Sequence, residues 1–298
     1  IWDWDLKTNA IWWNENFYST FNYKREDVPL VIDFWDERLH PEDMQRVSNK
    51  IRESIAKREN FWTDEYRFLD SAGNTFYIYD RAYISYDKNN EPYRMVGAMI
   101  NITDRKIAEQ KIIKTSRLYY VISRINQMIV HATNEETVFN EACRIAVEQG
   151  KFSMAWVGIL DQKSKHVIPV MHAGEEREYL SKIKTISVDE NIPEGQGPTG
   201  TALREGRYTF CNDIEHDPHM DAWREEALSR GYRSSISLPI KKFGKLVGAF
   251  SLYAPVVNFF DAEEIALLVE TTNNISFALE NFDKEKMRKQ ATEEVVKS

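Results

Sequence analysis

The sequence predicts an α+β protein with two antiparallel sheets joined by a long helix, and three observations carry that prediction. The 298 residues suit two domains at roughly 100–200 residues each, and the 42% hydrophobic share is ordinary for folded protein. Apolar residues alternate with polar ones in two separate groups of short segments, within residues 1–101 and 152–254. Between those groups, residues 103–131 contain neither Gly nor Pro and repeat their apolar residues at helical spacing.

The elements follow in order. "IWDWDLKTNAIWW" (1–13) reads as two strands around a Lys-Thr-Asn turn, and the first hundred residues hold six of the eight tryptophans. Pro41 suits a first helical turn, and Val47, Ile51 and Ile55 continue a helix expected to end near Asn60. Three strands come next, split by the turn signals Ser71–Asn74 and Lys88–Pro92. Strand pair, helices, then a three-strand meander predicts a sheet with helices gathered on one face. No Gly or Pro separates the strand at 93–101 from the helix expected from Thr103 to at least Met128. Leu118, Ile122, Ile125 and Ile129 step by helical intervals like a coiled-coil seam. Another helix is expected from Asn134 to Gly150, then strands "FSMAWVGILD" and "HVIPVMHAG". A polar middle section leads to strands "SSISLPIKK" and "KLVGAFSLYA", and a last helix runs from Asp261, its expected N-cap.

These segments bring two families into view. The strand pair, "LHPED", "EYRF" with the following Asp and "AGN", and above all "NITDRK" (101–106) resemble a PAS domain over residues 1–106. "PTGTALREGR", "CNDIEHDP", "GYRSSISLPI", "KLVGAFSLYA" and "FFDAEEIALL" resemble a GAF domain over 132–283, with a first helix starting as early as residue 118. The resemblance implies a PAS-like antiparallel sheet, a connecting signalling helix at 107–131, and a GAF-like antiparallel sheet flanked by helices. Residues 284–298 then lead outward to an output domain of histidine kinase or diguanylate cyclase type, and the chain, opening without Met, is expected to be a fragment. It also implies that the closing strand hands movement to the helix through Asn101, Thr103, Asp104 and Arg105. The family usually has Asp where Asn101 stands, and Asn supplies hydrogen bonds without charge.

Function classes narrow quickly. A net charge of −8 with scattered Lys and Arg disfavours nucleic acid, and no run of 18 apolar residues predicts a membrane span. Two widely separated cysteines, Cys143 and Cys211, suit a reducing compartment, hence the cytoplasm. Residues 1–142 lack Cys, which excludes a covalent flavin adduct there, and the helix after His40 lacks a His to ligate haem. Cys211, Asp213, His216, Asp217 and His219 crowd nine residues; a polar loop is the favoured reading, and a metal or haem redox sensor through Cys211, His216 and His219 is the alternative. "PEGQGPTG" lacks a P-loop's Lys-Ser/Thr, and no catalytic constellation stands out.

The reading is therefore a non-enzymatic sensor, with a ligand-free dimerising spacer as rival and no cofactor named. The expected PAS cavity is lined by Phe34, Trp35, Ile55, Tyr66, Phe68 and Met99. The expected GAF pocket is the more polar, with Phe210, Asp213, Trp223, Arg224, Tyr232 and Ser234 and with Arg233 and Ser235 close by. A small-molecule ligand and a homodimer are the expected partners. A parallel dimer is expected to form through Leu118, Ile122, Ile125 and Ile129 together with Ile265, Leu268, Thr272, Ile275 and Leu279, the alternative being that much of this stripe packs on its own sheet.

Overall fold

The structure, a computed structural model, describes residues 1–182 and 185–297. It divides into two units, residues 1–112 and residue 113 onward.

In the first unit, β1 (Trp2–Asp5) and β2 (Ile11–Trp13) form a hairpin with Trp2 opposite Trp13. The Asp5 carboxylate builds the turn by accepting from the amides of Lys7 (2.8 Å) and Thr8 (3.0 Å), while Asn9 takes the left-handed conformation that Asn tolerates. The helices α1 (Glu15–Thr20), α2 (Ile32–Asp36) and α3 (Pro41–Ala56) follow. His40 caps α3, its Nδ1 accepting from the Glu42 amide at 3.3 Å. The helix ends at Ala56 rather than near Asn60, because Arg58 adopts φ 60° and breaks the helical path. Strands β3 (Phe61–Leu69), β4 (Thr75–Tyr86) and β5 (Pro92–Asn101) complete an antiparallel sheet in the order β2-β1-β5-β4-β3. Its core face carries Trp2, Ile78, Ile84 and Met95, all buried beneath the helices.

Helix α4 (Thr103–His131) starts one residue after β5. The second unit continues with α5 (Glu135–Glu148), capped by the Asn134 side chain accepting from the Thr137 amide at 2.8 Å. Then come β6 (Met154–Leu160), β7 (His166–Gly174), α6 (Tyr179–Lys182), β8 (Ile186–Ser187), α7 (Pro198–Glu205), β9 (Thr209–Cys211), α8 (Arg224–Ser229), β10 (Ser234–Lys242), β11 (Lys245–Ala254) and α9 (Ala262–Lys297). Asp261 caps α9 by accepting from the Glu264 amide at 2.9 Å, and the Glu264 carboxylate accepts from the Asp261 amide at 3.3 Å, a reciprocal box. The sheet order is β8-β7-β6-β11-β10-β9, antiparallel throughout.

Both faces of this second sheet are covered. On one, Leu118, Ile122 and Ile125 of α4 join α5 and Ile265, Leu268, Ile275 and Leu279 of α9 in a single core with Ile236 and Leu252. The apolar stripes expected to face a partner chain instead cover the domain's own sheet, with Leu118 and Ile125 no more than 1% exposed. Burying them in this way is worth roughly 1.5–3 kcal/mol each, which explains why the sheet outcompetes a partner for them. On the other face, Met154, Trp156 and Tyr253 pack under α6, α7 and α8. Beyond Asp283 the side chains of α9 are exposed as far as Glu293; Ser298, last of the expected outward segment, lies outside the described residues.

Candidate functional site

On the second face of the second sheet, β10 and β11 place Ser237 directly opposite Ser251. Thr199, in the first turn of α7, closes a ring of three buried hydroxyls. Thr199 Oγ1 lies 2.7 Å from Ser237 Oγ and 3.3 Å from Ser251 Oγ, and the two serines are 2.8 Å apart. The Ser235 hydroxyl, two residues earlier on the same strand face, is buried without a partner. Thr199, Ser235 and Ser237 line a pocket walled by Tyr179, Met220, Trp223 and Tyr253. Trp223 lies so close over Gly197 that a Cβ there would come within 2.2 Å of the indole, so only Gly lets the ring seat. The closed space beneath it is about 10 Å³, room for one water. Hydroxyls that donate and accept can turn from one another towards a guest, which suits this pocket to a small polar molecule.

Of the expected residues, Trp223 lines this pocket, and Ser235 joins it. Phe210 does not. It pairs with Ile236, whose side chain faces the helical core, so Phe210 projects to the wrong face and is 41% exposed. Asp213 sits on the loop, bonding His216 Nδ1 at 2.9 Å. Arg224 ties that loop together by donating to the carbonyls of Asp217 (2.7 Å) and Ile214 (3.2 Å), and Arg233 pairs with Glu215. Tyr232 is fully buried and donates to the Glu175 carbonyl, while Ser234 donates to Val256 at 2.9 Å. These last are bonds of the fold, so Phe210, Asp213, Arg224, Tyr232 and Ser234 are removed from the pocket lining. Thr199, Ser237, Tyr179 and Tyr253 take their place, with Ser251 bonded behind Thr199 and Ser237.

Cys211, His216 and His219 do not converge. Cys211 is buried in the inner cluster, where loss of solvent pushes its thiol up to about 12. His216 and His219 stand on the surface, each bonded through Nδ1 to an Asp at 2.9 Å. Among the described residues no group of three or more His, Cys, Asp or Glu is placed to hold a metal. These three side chains therefore do not form a single metal donor set among the described residues.

The first domain has a different cavity. Trp2, Trp4, Trp13, Trp35 and Trp62 line it with Ile11, Ile32 and Ile51, and Trp12 is left on the outer face, 49% exposed, by strand alternation. Trp2 lies over Gly97, its cross-strand neighbour, where a Cβ would fall 2.4 Å from the ring. That clearance lets its Nε1 reach Asp80 Oδ1 on β4 at 3.0 Å. The Tyr66 hydroxyl donates to Asp80 Oδ2 at 2.8 Å and accepts from Trp35 Nε1 at 3.0 Å. Burial pushes the Asp80 carboxyl up to about 7, more than these donors pull it down. Of the expected residues, Trp35 lines the cavity and Tyr66 supports it. Met99 borders a separate hollow beside Ile1, Ile55 packs at the core's edge, and Phe34 and Phe68 are packed among aromatic rings of the core. Trp2, Trp4, Trp13 and Trp62, with Ile11, Ile32 and Ile51, are the lining residues that the expected set lacks.

The strand-to-helix joint is fully bonded. Asn101 Oδ1 accepts from the Thr103 amide at 2.9 Å, Thr103 Oγ1 accepts from the Tyr77 amide at 3.0 Å, and the Ile102 amide donates to the Tyr77 carbonyl at 2.9 Å. Arg105 pairs with Glu65 of β3 at 2.9 Å, and Lys106 pairs with the same carboxylate at 2.5 Å. Asp104 lies in the first turn, where an acid complements the helix dipole.

A one-faced antiparallel sheet closing on such a joint, followed by a sheet covered on both faces, defines a tandem sensory module. Residues 132–280, half of the chain, match the GAF domain model, and residues 10–99 match the PAS fold. The chain belongs to the GAF domain family and is a PAS–GAF module of the signal-transduction type. The methyl sulfide methyltransferase-associated sensor of Methanosarcina acetivorans is 24% identical over 79% of this chain and 22% of its own length. The two-component sensor PprA of Pseudomonas aeruginosa is 31% identical over 36% of this chain and 12% of its own. The chain thus spans less than a quarter of either relative. A solved free methionine-R-sulfoxide reductase from Neisseria meningitidis aligns at a TM-score of 0.49 and 17% identity, over 58% of this chain and 93% of that one. No helix among the described residues is long and apolar enough to cross a membrane.

Proposed function

We propose that this chain is a non-enzymatic sensory fragment of a cytoplasmic protein. A small polar molecule enters the hydroxyl-lined GAF pocket under Trp223, the PAS cavity takes a signal of its own, and occupancy passes through α4 and α9 to a histidine kinase or diguanylate cyclase output domain. The supporting observation is Ser235, a buried hydroxyl without a partner beside three that satisfy one another. A lone buried hydroxyl costs about 1–3 kcal/mol, and a guest's polar group removes that cost. A thermal-shift screen of small polar molecules on the wild type and Trp223→Ala tests this. Hits should weaken or vanish in the variant, and unchanged shifts would put the pocket elsewhere.

The homodimer is proposed through a different strip of α4. Ile112 and Tyr119, and Ile113 and Tyr120, form two pairs seven residues apart, each residue at least 55% exposed. Sedimentation of a monomer at high micromolar concentration would remove it. A second reading, the ligand-free dimerising spacer, is favoured by the small closed volume of both cavities. Native mass spectrometry decides between the two readings: a retained small molecule supports the sensor, and bare protein that no screened compound stabilises supports the spacer.

A further inference from the structure

The indole cavity of the PAS domain has features that packing alone does not demand. Five of the six tryptophans of this domain surround one space, yet no two of the five pair their rings. Trp13 stacks on Phe17 and Trp35 meets Tyr66 edge-on, while Trp4 and Trp62 have no aromatic partner. The Nε1 donors of Trp4, Trp13 and Trp62 are buried with no protein partner among the described residues. Trp13 and Trp62 are no more than 3% exposed, so bulk solvent does not reach them. Two further cavity indoles converge on one buried carboxylate: Trp2 bonds Asp80 directly and Trp35 reaches it through Tyr66. Asp80 is 1% exposed and, among the described residues, has no Lys, Arg or His within ion-pair distance; the field of the Ile1 α-amino group reaches it.

Electron-rich ring faces attract a poorly hydrated cation, an uncompensated carboxylate favours one nearby, and idle N–H donors call for an acceptor oxygen. We propose that this cavity binds a methylated ammonium compound that also carries an acceptor oxygen, with the five indoles as its walls and Asp80 as its counter-charge. Ordinary ammonium is a poorer fit, since nothing here replaces the water that its N–H groups would lose. The closed space is about 10 Å³, too small for a trimethylammonium head, so entry displaces a wall. Trp4, the half-buried member of the five, is the wall that moves.

The proposal rests on the sensory reading of the PAS half, and its test separates the two. Choline and its uncharged isostere 3,3-dimethylbutan-1-ol are titrated into the full chain and followed by tryptophan fluorescence and calorimetry. Choline should bind at least about tenfold more tightly than the alcohol, with a fluorescence change from Trp4. Asp80→Asn and Trp62→Phe should each weaken choline about tenfold and leave the alcohol unchanged. Trp62→Phe keeps an apolar ring in place, so it carries the test if Asp80→Asn fails to fold. Equal affinity for the two compounds, or unaltered choline binding in Trp62→Phe, overturns the ammonium assignment while leaving a PAS pocket. Absence of binding by both, together with bare protein in native mass spectrometry, overturns the assignment and the sensory reading of this half alike.

Discussion

The two sheets make room for a cavity in opposite ways. In the PAS domain the helices lie on one face, so the cavity is a gap within the hydrophobic core, and its indoles are core residues. In the GAF domain the sheet separates two clusters: Leu118, Ile236 and Leu279 hold the fold together on one face, and Tyr179, Trp223 and Tyr253 enclose the pocket on the other. A domain whose pocket and core coincide must trade stability for any change in the pocket. One whose sheet stands between them can change its pocket lining at lower cost.

The largest effect expected from that contrast is on Trp13→Ala. Trp13 is 1% exposed and stacks on Phe17 with ring centres 4.1 Å apart, so truncation should remove about 3–5 kcal/mol from the PAS domain. Denaturant melts should then show the PAS transition shifted and the GAF transition in place; a GAF shift of equal size would break the comparison. The next effect is a pH slope in the PAS half. Asp80 faces Tyr66, Trp2, the Arg81 amide and the Ile1 amino group, and its folded value of about 7 lies above its unfolded one. It therefore holds its proton more tightly when folded, so stability is greatest at low pH and falls as pH climbs from about 4 to about 7, by on the order of a few kcal/mol. Melts of the wild type should show this slope, and Asp80→Asn should flatten it. The GAF hydroxyl ring does not titrate in that range and adds no such slope. The smallest effect is Ser237→Ala, which removes one member of that ring and should cost about 1 kcal/mol, read as a shift of the GAF melt alone.

Much of the architecture was legible because alternation and helical spacing are local. The meander, the strand-to-helix passage at Asn101–Thr103 and the Asp261 cap all follow from neighbours in sequence. Features set by long-range register were not. The seam Leu118–Ile122–Ile125 has the spacing of a dimer helix, and the same spacing serves a helix lying on its own sheet. Phe210 and Cys211 are adjacent, and only the pairing of Phe210 with Ile236 decides which of them looks inward. The hydroxyl ring joins Thr199, Ser237 and Ser251 from three elements, so nothing local marks it. The tryptophans stood out by number, but seeing that Trp2 and Trp13 share a wall required their cross-strand pairing.

The clamp on Tyr77 makes α4 into a pointer rooted in the sheet. Both backbone polar groups of Tyr77 are bonded to the first residues after β5, and Glu65 on the next strand is bonded to Arg105 and Lys106. The root of the helix is thus pinned to two strands besides the one that feeds it, and cannot swivel while they stay flat. At 1.5 Å per residue the 29 residues of the helix extend about 43 Å from that anchored root.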